Sequence, residues 1–485
     1  MSLEPTPEYS YAELMNAPEI PAAIPEPAPP TPAAAPESTR WWSARRKLAF
    51  RFLFAFGMGV VVFSVLGNAG LGTVWYFTGV WWTLAQIGSY FTTGAGVEVT
   101  PGSIGDQQWV WDWHLGWLIV SVVITLVWTA LDRRRANYRS LGGLLEVFAR
   151  YGLSLSMIFY GLIKVIPTQM GFMALPSHQL QLTGDTSMFN VLWGFMGAST
   201  PYSIATGLVE LAAGILLLWR RTSVAGIVLA LVATAQVFLL NLFYDVPVKI
   251  VSGELFVIAV ALSVPYWRNF LRVGLNRPGV EPVAPLPVWG ASKSGPRILG
   301  LLVKYAGACL VVVSMGANGA LMTWVQHTTR SPLDGVWRAT SFTVDGAPAP
   351  LVQGGGPAPW SNIAITLRGS DSNKALETIS SSYDSVVTQA PNGYVTAWQA
   401  EADGDVLKLR KNEDDAPIDM TTRLDGDVLH VSATVEGKRF EGAYERRFME
   451  RDRSHFRLVY PSPNDVSQTE DSGNAGPEPA PREGN

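Results

Sequence analysis

Lys164, Glu210 and Lys249 raise the question of chemistry first, because each is an ionisable group inside or beside a strongly apolar run. A charged side chain near the centre of a bilayer is unfavourable by about 3 kcal/mol or more, so such groups face other helices or a wet cavity. Tyr160 and Lys164 are four residues apart and share one face of a helix. Glu210 falls about halfway along the next spanning run, and Gln236 and Asn241 project from the run after that. Tyr244, Asp245, Lys249 and Glu254 then flank Pro247, which breaks the helix and frees backbone groups that need water or side-chain partners. Two ammonium groups set against the carboxylates of Glu210, Asp245 and Glu254 support three kinds of chemistry. They are a structural ion-pair network that holds helix register, a site for an amphipathic ligand such as a quinone with acid and ammonium groups moving protons, and a path for a polar solute or ion.

The elements that must position these groups are membrane helices. The 485-residue chain is 48% hydrophobic yet has a mean hydropathy of only +0.17, an average over a very apolar middle and two polar ends. Runs of roughly 20 apolar residues are long enough to cross a bilayer. They occur at about 48–67, 109–131, 145–166, 202–219, 224–243, 250–267 and 298–324, which predicts seven spans. Residues 71–91 are apolar but interrupted by Gly72, Gly79 and Gly88 and crowded with Trp and Tyr, and we read them as interfacial or re-entrant. The connections 68–108 and 167–201 contain no Lys or Arg, whereas the alternate ones carry Arg133 to Arg135 and Arg139, then Arg220 and Arg221, then Arg268, Arg272, Arg277, Lys293 and Arg297. That asymmetry predicts a cytoplasmic N-terminus and an external C-terminal region.

Outside the helices, residues 1–42 form a Pro, Ala and Glu rich tail without the layout of a secretory signal, expected to be disordered and cytoplasmic. Residues 43–144 hold two added spans, 276–297 a Pro-rich linker and 461–485 a second polar tail. From 333 to 460 the pattern changes to period two. D-G-D-V-L-K-L (Asp403 to Leu409) and D-G-D-V-L-H-V (Asp425 to Val431) repeat a turn followed by a strand, and E-G-K at Glu436 to Lys438 supplies a hairpin turn. The expected fold class is therefore an α-helical membrane bundle followed by an all-β antiparallel meander or small barrel of roughly eight to ten strands. Gly335-Val336-Trp337 is similar to the opening of a lipocalin.

Several function classes are excluded or unsupported. Net charge is −4 with no basic block interleaved with aromatics, so no nucleic-acid surface is expected. The single cysteine, Cys309, allows no internal disulfide. The five histidines, His114, His178, His327, His430 and His455, lack metal-ligand spacing, and no nucleotide or nucleophile-elbow motif stands in a strand-to-helix context. No metal is expected. Asp112 and His114, in W-V-W-D-W-H-L-G-W, read as groups in headgroup water within a tryptophan belt.

Four segments in order, Y-G-L-I-K-V-I-P-T-Q-M (Tyr160 to Met170), L-W-G-F-M-G-A-S-T-P-Y (Leu192 to Tyr202), G-L-V-E-L-A-A-G-I-L-L-L-W-R-R-T (Gly207 to Thr222) and N-L-F-Y-D-V-P-V-K-I-V-S (Asn241 to Ser252), resemble the DoxX-like family of bacterial membrane proteins. The resemblance covers about residues 145–275 and implies a four-helix core. Its motif positions fall on Lys164, Pro167, Gln169, Glu210, Arg220, Arg221, Asp245, Pro247 and Lys249, which adds Gln169 to the candidate pocket. It implies an accessory or quinone-interacting component of a membrane redox or oxidative-stress system, with a redox-complex subunit or a diffusible quinone as partner. The alternatives are a non-catalytic anchor for an external lipid- or partner-binding β domain, and a small-solute transporter.

Overall fold

The computed structural model describes residues 41–100, 105–288, 294–327, 331–351, 360–368, 383–412 and 414–447. Residues 1–40 of the first tail, all of the second, the residues 448–460 assigned to the β domain, His455 among them, and the side chain of His327 lie outside these. Among the described residues, eleven α-helices precede the strands. They are α1 (Ala44–Gly59), α2 (Gly72–Phe77), α3 (Val80–Thr92), α4 (Gln108–Leu131), α5 (Arg139–Val165), α6 (Met188–Ala198), α7 (Thr200–Leu218), α8 (Ser223–Phe243), α9 (Lys249–Ser263), α10 (Trp267–Gly274) and α11 (Ser294–His327). Among the described residues, seven helical stretches are long and apolar enough to cross a membrane, among them Ala44–Gly70, Lys249–Gly274 and the long stretch within α11. The protein is a multi-pass membrane protein with the expected span count.

α1 runs on through two π-helical stretches, Val60–Val65 and Gly67–Leu71, into α2. α3 then turns back against α4, so the segment read as re-entrant forms two short helices and no span. Glycine makes that return possible: a Cβ on Gly88 would sit 1.8 Å from the Asp112 carbonyl oxygen. α5, α7, α8 and α9 pack in sequence around one apolar core that includes Leu153, Ala213, Leu217, Ala230 and Ala259. Small residues at a helix interface let two backbones approach closely in lipid. At Gly207 of α7 a Cβ would meet the Lys164 Cβ at 2.7 Å, so the missing side chain lets α7 lie directly against the end of α5.

The Pro-rich linker is docked where it is described, with Pro287 and Leu286 against Gly143. α11 packs on α5, and the Lys304 ammonium lies over the rings of Tyr151, Trp219 and Tyr305. At the other end of α1, Arg51 is buried and donates to Tyr138, Thr129 and the Asp132 carbonyl, tying α1 to the α4–α5 turn. It is a packing group as well as a charge flanking a span.

The C-terminal domain is a closed barrel. β1 (Gly335–Val344), β3 (Asn362–Thr366), β4 (Ser385–Gln389), β5 (Val395–Asp403), β6 (Val406–Arg410), β7 (Ile418–Asp425), β8 (Val428–Val435) and β9 (Lys438–Arg447) pair antiparallel in order, and β9 returns to β1. The two-residue β2 (Ala347–Pro348) folds back to pair antiparallel with the end of β1. Eight strands leave an interior about wide enough to be filled by side chains. Trp337, Leu407, Leu409, Met420, Leu429 and Tyr444 fill it. Burial pushes the Tyr444 phenol well above its ordinary pKa, and its hydroxyl donates to the Trp360 carbonyl at 3.0 Å. The turns fall where the sequence puts them, at Asp403 to Val406, Asp425 to Val428 and Glu436-Gly437, the last with both residues at positive φ.

Candidate functional site

Lys164 stands in the last turn of α5 and Glu210 midway along α7, and both are buried. The ammonium donates to both carboxylate oxygens, at 2.8 and 2.7 Å. A charged pair taken out of water is tolerated only when its groups satisfy one another with good geometry, as here. The pair forms part of the wall of a cavity of about 100 Å³ bounded by α5, α7, α8, α9 and the α5–α6 connection. One water needs roughly 10–15 Å³ on the same measure, so the space holds several waters or part of a small ring system. Most of its lining is apolar, including Met157, Met196, Val237, Leu240 and Leu255.

Of the residues singled out from sequence, Tyr160, Lys164, Gln169, Glu210 and Asn241 line this cavity together. The Gln169 side-chain oxygen is buried and accepts no hydrogen bond within the described residues. It is a buried acceptor without a donor on a residue that lines the cavity, and a ligand with an O–H or N–H would complete it.

The other five candidates lie elsewhere. Gln236 is exposed on the outer face of α8. Tyr244 packs beside Val246 and Met170 at the end of α8, next to the cavity and outside its lining. Asp245 has an 85% exposed side chain and pairs with Lys249 at 2.8 Å. Lys249 is turned to Asp106 as well, 3.8 Å away, and so does not join Glu210. The polar stretch around Pro247 serves α9 instead: Asp106 accepts from the backbone N–H groups of Lys249 and Ile250 at 2.8 and 3.0 Å, a cap supplied from a distant loop. Val248, from the same stretch, does reach the cavity.

Glu254 faces away from the cavity and meets His114 Nε2 at 2.8 Å. The expectation that Asp112 and His114 sit in headgroup water is therefore corrected. Asp112 is 0% exposed, and one of its oxygens accepts from Thr92 at 2.8 Å and from Gln108 at 3.0 Å. The reason is α3, whose return covers the first turns of α4 and removes the water.

Sequence reasoning missed α6, which lies in what reads as a plain connection. Leu192, Trp193 and Met196 on one of its faces close the cavity, while Met188, Val191 and Phe195 are exposed on the other. Its signals were an 11-residue apolar run, too short to span, and Ser187, whose hydroxyl accepts from the Asn190 N–H as an N-cap. Also missed were Asp106 and Ser64. Among the described residues no group of three or more His, Cys, Asp or Glu side chains could hold a metal ion.

No family model matches the chain, and no solved structure matches it. Among curated proteins, a stretch of 145 residues is 28% identical to the uncharacterized protein YwoB of Bacillus subtilis (strain 168), covering 30% of this chain and 89% of that protein.

Proposed function

We propose that the chain is a DoxX-like integral membrane protein whose cavity binds an amphipathic molecule of the quinone type, as an accessory component of a membrane redox or oxidative-stress system. The observation that carries this reading is a buried ion pair and an unsatisfied amide oxygen on the wall of an otherwise apolar space. Pockets for small molecules commonly combine an apolar lining with a few placed polar groups. An aromatic ring carrying oxygens at its edge fits that combination. The Lys164 ammonium has a third N–H beyond the two given to Glu210 and can donate it to a ligand carbonyl oxygen. Gln169 can accept from a ligand hydroxyl, and Glu210, held by Lys164, is the carboxylate available to take or return a proton at that wall. The quinone itself would supply the electron-carrying chemistry, since the chain has one cysteine and shows no metal-ligand spacing.

Loop charges support placing the protein in a bacterial inner membrane with the N-terminus inside and the barrel on the outer side. The barrel's filled interior disfavours a lipid carried inside it, so in the anchor alternative a partner would be held on its outer surface.

Trp193 lines the cavity and reports on it. With full-length protein in nanodiscs, a short-chain quinone analogue is expected to quench tryptophan emission saturably. Gln169→Leu should weaken the reduced form about tenfold, equivalent to one hydrogen bond of ~1.4 kcal/mol. The paired change Lys164→Met with Glu210→Leu should abolish discrimination between oxidised and reduced forms. Affinity unchanged in both proteins removes the cavity from the reading.

A further inference from the structure

Away from the cavity, three helical segments each turn one polar side chain to a common point. Ser64 comes from the first π-helical stretch after α1, His114 from α4 and Glu254 from α9. Ser64 Oγ is hydrogen-bonded to Glu254 Oε2, and His114 Nε2 lies 2.8 Å from Glu254 Oε1. The imidazole and carboxylate side chains are 15% and 14% exposed, and Ser64 is buried. π-helical turns within a helix often mark functional positions, and this one is held by Asn68, which donates to the Ser64 carbonyl at 2.9 Å.

Counting hydrogens decides what the group holds. The other ring nitrogen, Nδ1, lies 2.6 Å from the Val110 carbonyl oxygen. A carbonyl oxygen brings no proton, so Nδ1 is the donor there. Nε2 and Oε1 then require one proton between them. Either an imidazolium faces a carboxylate, or a carboxylic acid donates to a neutral imidazole. In both arrangements the pair is neutral and carries one exchangeable proton. Without it, a nitrogen lone pair faces a carboxylate at 2.8 Å and a net negative charge is left among apolar helices. The group is no nucleophilic triad, because the serine hydroxyl bonds the carboxylate and the carboxylate occupies the central place.

We propose that Ser64, His114 and Glu254 form an intramembrane proton-binding site, separate from the cavity and loaded with one proton. Of the nearby charges on the packed elements, Asp112 of α4 accepts from Thr92 and Gln108 through one oxygen, the other being buried without a partner among the described residues, and Asp106 pairs with Lys249 at the start of α9. Val251, Ser252 and Leu255 of α9 line the cavity, so the proton fastens the cavity's wall helix to α4. Removing it breaks that link, while Ser64 keeps donating to the carboxylate.

The test is ¹⁵N-histidine NMR on the full-length protein in nanodiscs, recorded across the whole pH range in which the protein stays folded. The His114 signals are assigned by their loss in His114→Gln. In the native protein Nδ1 should stay protonated while Nε2 changes in one step. In Glu254→Gln the amide can donate to Nε2 and accept from Ser64, which mimics the loaded state without a titrating carboxyl, so Nε2 should stay an acceptor throughout. A His114 that titrates identically in both proteins overturns the proposal. Infrared difference spectra of the native protein give a second reading that needs no change at Glu254: imidazole and carboxyl bands should move together, and a carboxyl band that titrates alone overturns the site. Neither result bears on quinone binding, so this site and the cavity stand or fall separately.

Discussion

Lys164 and Glu210 satisfy one another, and that determines what the loss of either does. Lys164→Met leaves a buried carboxylate without its cation, and removing one partner of a buried pair typically destabilises by about 3–5 kcal/mol. Changing both, Lys164→Met with Glu210→Leu, should restore most of the melting temperature lost by the single change, measured in detergent or nanodiscs. A double variant no more stable than Lys164→Met would mean that the pair does not act as a unit. This pair was legible in the sequence because a carboxylate and an ammonium in apolar runs must find partners, and Tyr160 was legible because four residues make one turn. Lys249, Glu254 and Gln236 were misassigned for a physical reason. α8 and α9 are apolar nearly all round, so no polar stripe reveals which way a given position faces. Only the packed neighbours decide it, with Asp106 drawing Lys249 outward and His114 drawing Glu254 to the far side of α9.

At the scale of elements, the cavity depends on how closely α5 and α7 approach and on how α9 begins. Gly207→Leu would force a side chain into the Lys164 Cβ, part the two helices and weaken the ion pair. A clear loss of thermal stability together with altered Trp193 emission is expected, whereas Gly184→Ala, with nothing within 4 Å of the added Cβ, should change neither. Asp106→Ala removes the carboxylate that accepts from two N–H groups at the start of α9, a loss of ~1 kcal/mol, within the usual range for a cap. Asp106→Asn should retain most of that stability in the same melting experiment. A cap donated from another loop has no local signature in sequence, which is why Asp245 and Lys249 read as pocket candidates. The helices themselves were legible because length and hydropathy alone define a span, and the strands because turn residues and alternation recur. α6 was not, since a short apolar run between spans has no periodicity that separates a helix from a loop.

For the whole molecule, the barrel sits at the end of the bundle that holds the cavity. The α5–α6 connection joins them: the Ser177 N–H donates to Thr366 Oγ1 at 3.2 Å, Gln389 donates to the Leu180 carbonyl at 2.8 Å, and Leu180 is buried against Val336, Ala364 and Val387. From the other side, Gln326 of α11 donates to the Thr168 carbonyl at 3.3 Å. The segment that leads from Lys164 to the cavity-closing α6 is thus held by the barrel and by the helix that precedes it. Because barrel and cavity share one end, the side on which one lies is the side on which the other lies, and the topology proposed from arginine placement in the connections has that side outside. Replacing Cys309 by serine leaves a chain without thiols, into which one reporter can be introduced at a time. Asp427→Cys lies on an exposed barrel turn, and Asn276→Cys lies in the exposed connection after α10. In intact cells whose outer barrier has been removed, a membrane-impermeant maleimide should label Asp427→Cys and spare Asn276→Cys until the membrane is opened. The reverse pattern would place barrel and cavity in the cytoplasm, and any ligand of Lys164, Gln169 and Glu210 would then have to approach from the opposite face.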